Sequence, residues 1–267
     1  DIATIKAIIA GDSDIPRKKG EVGICLTSLK RPVLTDKNFG WVVGADLRKA
    51  WAYDKLGSTK DDDESLEDER YLKINDLSYG KAWCEVARSL LLASPDDGTA
   101  IDESAWKSLA EEKINEVKAL SPKKEDSVSR LNIAQKSYED GRYGAAIFDA
   151  VYVQNNEEAP LAEEDAKLGA ENLLKEKRAS LWGNVYQSHA AFLYSQNQTE
   201  AAYSTARFAK ELDSATAQME AETRKNLGTP TANETKPEDP SSQALPEGQD
   251  FVILALLGGL SIFLLLV

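Results

Sequence analysis

From Leu77 to Leu227 the apolar residues recur three and four positions apart, the spacing of helices with one buried face. Leu77 to Ala93 carries Trp83, Val86, Ala87, Leu90 and Leu91 on one stripe, and Ser94-Pro95-Asp96-Asp97-Gly98 stops it. Asp102 to Leu120 follows, with Trp106, Leu109, Ile114 and Val117 apolar, Thr99 or Asp102 as N-cap, and Ser121-Pro122 as the stop. Two helices flank Gly141, and Pro160 is placed to open another. A long helical pattern covers Ala162 to Tyr194, with a break expected near Gly169 or Gly183, and a last helix runs from Thr199 to Leu227.

Ahead of Leu77 the pattern is shorter in period. Ile2 to Ile9 alternates loosely, Gly20 to Leu29 reads as a strand, and Arg31-Pro32 and Asn38-Phe39-Gly40 mark turns. Trp41 to Val43 reads as a second short strand and Ala45 to Leu56 as a helix with Trp51 on its apolar face. So few strands need a covering layer. The expected fold is therefore mainly α: an irregular helical bundle or short solenoid, with a small strand-containing part packed on the helices behind it. Residues 1–57 form that small part, 58–70 an acidic linker, 71–227 the helical domain, 228–250 a disordered stalk, and 251–267 one C-terminal transmembrane helix.

The tail carries the strongest localising signal. A Pro-, Ser-, Thr- and Glu-rich stretch from Gly228 to Asp250 leads into Phe251 to Val267, which holds no charged residue. As a helix this segment spans about 25 Å, a little short of a hydrocarbon core of about 30 Å. It is apolar all round and follows a polar stalk, which favours a membrane span over a core helix. Two sequons, Asn197-Gln198-Thr199 and Asn233-Glu234-Thr235, and the absence of a basic cluster beside Phe251 place the body outside the cytoplasm. A tail-anchored protein facing the cytosol is the competing topology. With the body outside, Asp1 is the expected start of a mature form whose signal has been removed.

Charge and chemistry narrow the function. A net charge of −13 disfavours nucleic acid, whose phosphates require Lys and Arg patches. The acidic run Ser58 to Arg70 lacks the Asp-x-Asp-x-Asp-Gly order of a calcium loop and reads as a solvated loop or acidic helix start. Cys25 and Cys84 are the only cysteines; they fit one disulfide outside the cell or two buried thiols. With a single histidine they cannot build a usual zinc site. That histidine, His189, reads as a surface or capping residue, since its neighbour Ser188 points about 100° away around a helix. No phosphate loop, nucleophile–base pair or distinct carboxylate couple stands out, so no catalytic, cofactor or metal residue is assigned. Trp41, Trp51, Trp83, Trp106 and Trp182 read as core fillers between helices.

Two stretches share one spacing. Ala134, Tyr138, Gly141, Tyr143, Ala146, Ala150 and Val153 align with Ala190, Tyr194, Asn197, Thr199, Ala202, Ala206 and Ala209. Small residues let two helices approach, and Gly141 and Asn197 stand where the chain must turn through a left-handed conformation. The pattern resembles the tetratricopeptide family, over Val128 to Asn155 and Asn184 to Asp213. The interval from Ala134 to Ala190 is much longer than the family's repeat of about 34 residues, so a regular superhelix is not expected. The resemblance implies binding of other proteins, with Tyr138, Tyr143 and Tyr152 as the candidate binding residues. Ser137 to Ala150 (SYEDGRYGAAIFDA), with the tryptophan-bearing helices before it and the anchored tail, also resembles the helical region that follows the protease domain of archaeal membrane-anchored Lon-like proteases. The catalytic part of that family has no counterpart here. The expected function is a membrane-anchored scaffold for other protein subunits. The alternatives are the accessory region of such a protease system and a surface-layer or stalk protein.

Overall fold

The computed structural model describes residues 15–59, 67–158 and 161–226. Nine α-helices and one 3-10 turn hold most of these residues, and no strand occurs among them. The chain divides into two compact units, residues 1–100 and 101–267. Phe251 to Val267, the stalk and Ile2 to Ile9 lie outside the described residues. Within them, no helix is long and apolar enough to cross a membrane.

The first unit contains α1 (Ile15–Ser28), α2 (Phe39–Ser58) and α3 (Glu67–Ala93). The strands expected at Gly20 to Leu29 and Trp41 to Val43 are helical. The buried residues of α1 are Val22, Cys25 and Leu26, which is helical and not alternating spacing. Gly20, Gly23 and the β-branched residues give α1 a composition that reads as strand, and packing on α3 overrides it. Trp41 to Val43 form the first turn of α2, whose buried face continues through Ala45, Leu47, Arg48, Trp51 and Ala52. The Trp51 and Trp83 rings meet edge to face at 4.8 Å, joining α2 to α3. The Arg48 guanidinium lies 5.0 Å from the Trp51 ring centre.

Asn38 ties the loop before α2. Its side-chain oxygen accepts from Thr35 N–H at 2.8 Å, and its amide donates to the carbonyls of Val33 and Pro95. Across from it, Asp36 N–H donates to Thr99 O at 3.0 Å, and Thr99 N–H donates to the Asp36 carboxylate at 2.7 Å.

The second unit opens with a 3-10 turn (Glu103–Trp106), where Asp102 accepts from Ser104 N–H at 2.9 Å as the N-cap. Then come α4 (Lys107–Ala119), α5 (Glu125–Glu139), α6 (Tyr143–Glu157), α7 (Glu163–Lys175), α8 (Leu181–Ser195) and α9 (Thr199–Asn226). These boundaries repeat. The offset that carries Ala134 onto Ala190 also carries α4 onto α7 and α5 onto α8, end for end, and the start of α6 onto the start of α9. Packing repeats as well: α6 packs on α4 and α5 as α9 packs on α7 and α8. The unit is thus a tandem pair of three-helix copies.

The break between α7 and α8 falls at 176–180, just ahead of Gly183 and not near Gly169. Ser180 caps α8 by accepting from Gly183 N–H at 3.0 Å. The two glycines mark close approach instead. A Cβ on Gly169 would stand 2.6 Å from the Tyr203 ring, and one on Gly183 2.7 Å from the Asp213 carboxylate.

Candidate functional site

The two hairpins, α5–α6 and α8–α9, turn in the same way. Gly141 N–H donates to Tyr138 O and Arg142 N–H to Ser137 O, at 3.0 and 2.7 Å. Asn197 N–H donates to Tyr194 O and Gln198 N–H to Leu193 O, both at 3.0 Å. This pair of bonds closes a helix over a left-handed residue, and φ is +72° at Gly141 and +59° at Asn197. Ala134, Ala146, Ala150 and Val153, and their counterparts Ala190, Ala202, Ala206 and Ala209, are all fully buried.

A second shared device fixes each hairpin at its other end. Lys124 has no side-chain cap for α5, and the α6 carboxylate Glu157 accepts from Lys124 N–H at 3.3 Å. The Ser127 hydroxyl and the Lys123 and Lys124 amides hold Glu157 below the usual carboxylate range, against its desolvation. In the second copy Asp213, the counterpart of Glu157, accepts from the N–H groups of Ser180 and Ala179, at 2.7 and 3.0 Å. The third helix of each copy thereby caps the second, and places the negative charge where the helix dipole favours it.

The three candidate tyrosines do not share one face. Tyr138 and Tyr143 meet edge to face at 5.4 Å beside the Gly141 turn, both half-buried. Tyr152 lies two and a half turns beyond Tyr143, on the opposite side of α6 by helical geometry. Its ring packs on Phe208 of α9 at 5.7 Å, and its hydroxyl donates to Asp126 at 2.6 Å. Burial and the Asp126 carboxylate push that hydroxyl well above an ordinary tyrosine.

Beneath Tyr152 lies an ionic cluster within the first hairpin. Arg130 reaches Asp126 at 3.7 Å and Asp149 at 3.9 Å, and its guanidinium lies 5.5 Å from the Tyr152 ring centre. Asp149 is 0% exposed. The second copy fills the same positions with Trp182, Tyr186, Thr205 and Phe208. There Tyr186 packs edge to face on Phe208 at 4.7 Å, where Arg130 lies against Tyr152. One framework therefore holds an ionic core in one copy and an aromatic core in the other.

The copies meet through α6 and α9. Tyr152 touches its own counterpart, Phe208. Asn155 donates to Ser204 at 3.3 Å and accepts from Arg207 at 2.8 Å. The 3-10 turn meets the start of α6 through Glu103 and Gly144 and the far end of α9 through Trp106, Met219 and Thr223, so the two helices run antiparallel and the copies are related by an approximate two-fold axis beside Tyr152 and Phe208. Arg207 also pairs with Glu158 and donates to Asn155 O at 2.5 Å, closing the end of α6. Past Ser214, α9 continues for a segment with no counterpart in α6. Its Met219 carbonyl and Thr223 hydroxyl both accept from the Trp106 indole, each at 2.9 Å.

On the solvent side the copies exchange apolar and polar residues in both directions: Leu120 and Val128 of the first copy are 53% and 42% exposed, where the second has Glu176 and Asn184. Leu168 and Phe192 are 59% and 53% exposed, where the first copy carries the exposed charged residues Glu112 and Lys136. Asn197 is exposed at the α8–α9 turn, while Asn233 lies outside the described residues. Cys25 and Cys84 are joined as a disulfide between α1 and α3. Trp51, Trp83, Trp106 and Trp182 are buried in helix contacts. His189 is 1% exposed, so it is a core residue and not a surface or capping one. Its counterpart in the first copy is the core residue Ile133, a signal the shared spacing of the two stretches already contains. The same offset pairs α4 with α7, whose matching residues Ala110 and Ala166 are both fully buried. Among the described residues, no group of three or more His, Cys, Asp or Glu is placed to hold a metal ion. Comparison of the chain with protein-family models, curated proteins and solved structures finds no match.

Proposed function

We propose that this protein is a membrane-tethered helical scaffold whose body lies outside the cytoplasm and binds another protein subunit of a membrane or envelope complex. The observation that carries this reading is the pair of exposed apolar side chains on α7 and α8 of the second copy. One framework is kept twice, and in the second copy exposed apolar side chains, Leu168 and Phe192, stand in place of Glu112 and Lys136. Exposed apolar residues where a duplicate shows that charge is tolerated favour a partner over a bland solvent face. The half-buried Tyr138–Tyr143 pair adds a second candidate contact at the first turn. The Cys25–Cys84 disulfide supports an oxidising compartment, and the uncharged Phe251 to Val267 supports the tether.

The test is purification of the full-length protein from native membranes in mild detergent, with mass spectrometry of what accompanies it. A stoichiometric membrane partner is expected with the wild type. It should be lost when Leu168→Glu and Phe192→Lys restore the first copy's residues, because those residues suit the same framework. Copurification of nothing, or an undiminished partner in the double variant, would rule this surface out. Glycan mass on Asn197 or Asn233 would independently fix the body outside the cytoplasm.

A further inference from the structure

His189 lies inside the second three-helix copy with both ring nitrogens buried and without a hydrogen-bond partner among the described residues. A buried polar group in that state is costly, and the first copy shows the alternative, since Ile133 occupies the same place on α5. The rest of the setting is apolar or already engaged. Val185, Ala190 and Leu193 are the buried neighbours on α8. Its titratable neighbours on α8 are Tyr186, packed on Phe208, and Tyr194, whose hydroxyl donates to Glu171 of α7 at 2.5 Å. On α9, Asp213 is held by the Ser180 and Ala179 amides, Arg207 by Asn155 and Glu158, and Lys210 by Glu176. Desolvation is the influence on the imidazole, and it favours the neutral ring.

We propose that His189 is an acid-sensitive latch: protonation of this one imidazole releases α8 from α9, and the first copy, with Ile133 in its place, stays closed. A cation at this position would have no counter-charge, and the ring becomes charged only by reaching water. The folded state holds the imidazole below its ordinary value of 6.5, while the opened state does not. Opening therefore takes up a proton. The closed form keeps its full stability above about pH 6.5 and loses it as pH falls below that value. With one proton taken up, the opening equilibrium rises up to about 30-fold between pH 7.5 and pH 5. In a secreted or surface protein this responds to acidified surroundings, and it is a route by which a partner seated on α8 would be let go.

The chain has one histidine, so its imidazole signal in proton NMR is unambiguous. Titration of the full chain is expected to give a midpoint below 6.5, and a midpoint at or above the ordinary histidine value would overturn the proposal. Hydrogen exchange, expressed as protection factors at pH 7.5 and pH 5, should show α8 losing protection and α5 keeping it. His189→Ile should abolish the loss at α8, and Ile133→His should confer it on α5. Equal losses in both copies, or an unchanged loss at α8 in His189→Ile, would also overturn it. The NMR midpoint decides the matter if the isoleucine variant fails to fold.

Discussion

Arg130 stands between two carboxylates at a position where the second copy has Tyr186. A buried ion pair contributes little net stability, because desolvation offsets most of the attraction, but removing one partner leaves the other charge buried with less compensation. Arg130→Met is therefore expected to lower stability in urea denaturation, by at most about 3–5 kcal/mol, because Asp149 and Asp126 each lose one ionic partner. Adding Asp149→Thr, the residue found at the matching Thr205, should recover part of that loss. Simple addition of the two costs would show that Arg130 and Asp149 do not act as a pair. Neither residue is conspicuous in a sequence with 45 acidic and 32 basic side chains, because what distinguishes them is burial and not type.

At the scale of helices, α1 is the element most in need of its covalent tie. It buries Val22, Cys25 and Leu26, and it contains two glycines, each costing about 1 kcal/mol relative to alanine within a helix. The disulfide joins positions separated by 59 in sequence, a closure worth about 4 kcal/mol on a chain-entropy estimate. Cys84→Ser with Cys25→Ser should lower the melting temperature of the first unit and expose α1 to limited proteolysis near Gly20 and Gly23. An unchanged melting temperature and an intact α1 would refute that dependence. The same weakness explains why α1 reads as a strand: its apolar positions are few, and the helix is decided by contacts with α3. The helices from α3 onward are legible, α3 only from Leu77 although it begins at Glu67, because their buried stripes are long enough for the period to emerge. The break at 176–180 is legible only approximately, as lying near Gly183. Ser180 is the residue that starts α8, and the glycines are needed for contact with Tyr203 and Asp213.

For the chain as a whole, the spacing between the hairpins is plain in the sequence, but its meaning is not. Read as two hairpins it looks like an irregular interval. The interval is the length of a three-helix copy whose leading helix, α4 or α7, keeps few residues in common between the two. Such a design makes a prediction about fragments. A chain of residues 101–158 presents the α6 face that normally meets α9, with Tyr152 on the axis. It should form a dimer in solution with Tyr152 against the Tyr152 of its partner, detected by sedimentation and weakened by Tyr152→Lys. A folded, strictly monomeric fragment would refute the two-fold relation between the copies.

The antiparallel meeting of α6 and α9 also limits how many copies such a chain can hold. Repeats stacked head to tail leave a fresh edge after every addition, so odd and even copy numbers are equally admissible. Here each copy offers the same face, and that face is occupied once it has met its twin. The extension of α9 over Trp106 then covers the beginning of the first copy. A third copy appended to this chain would find the α6 and α9 faces already occupied by each other, so lengthening of this architecture is expected to proceed by pairs.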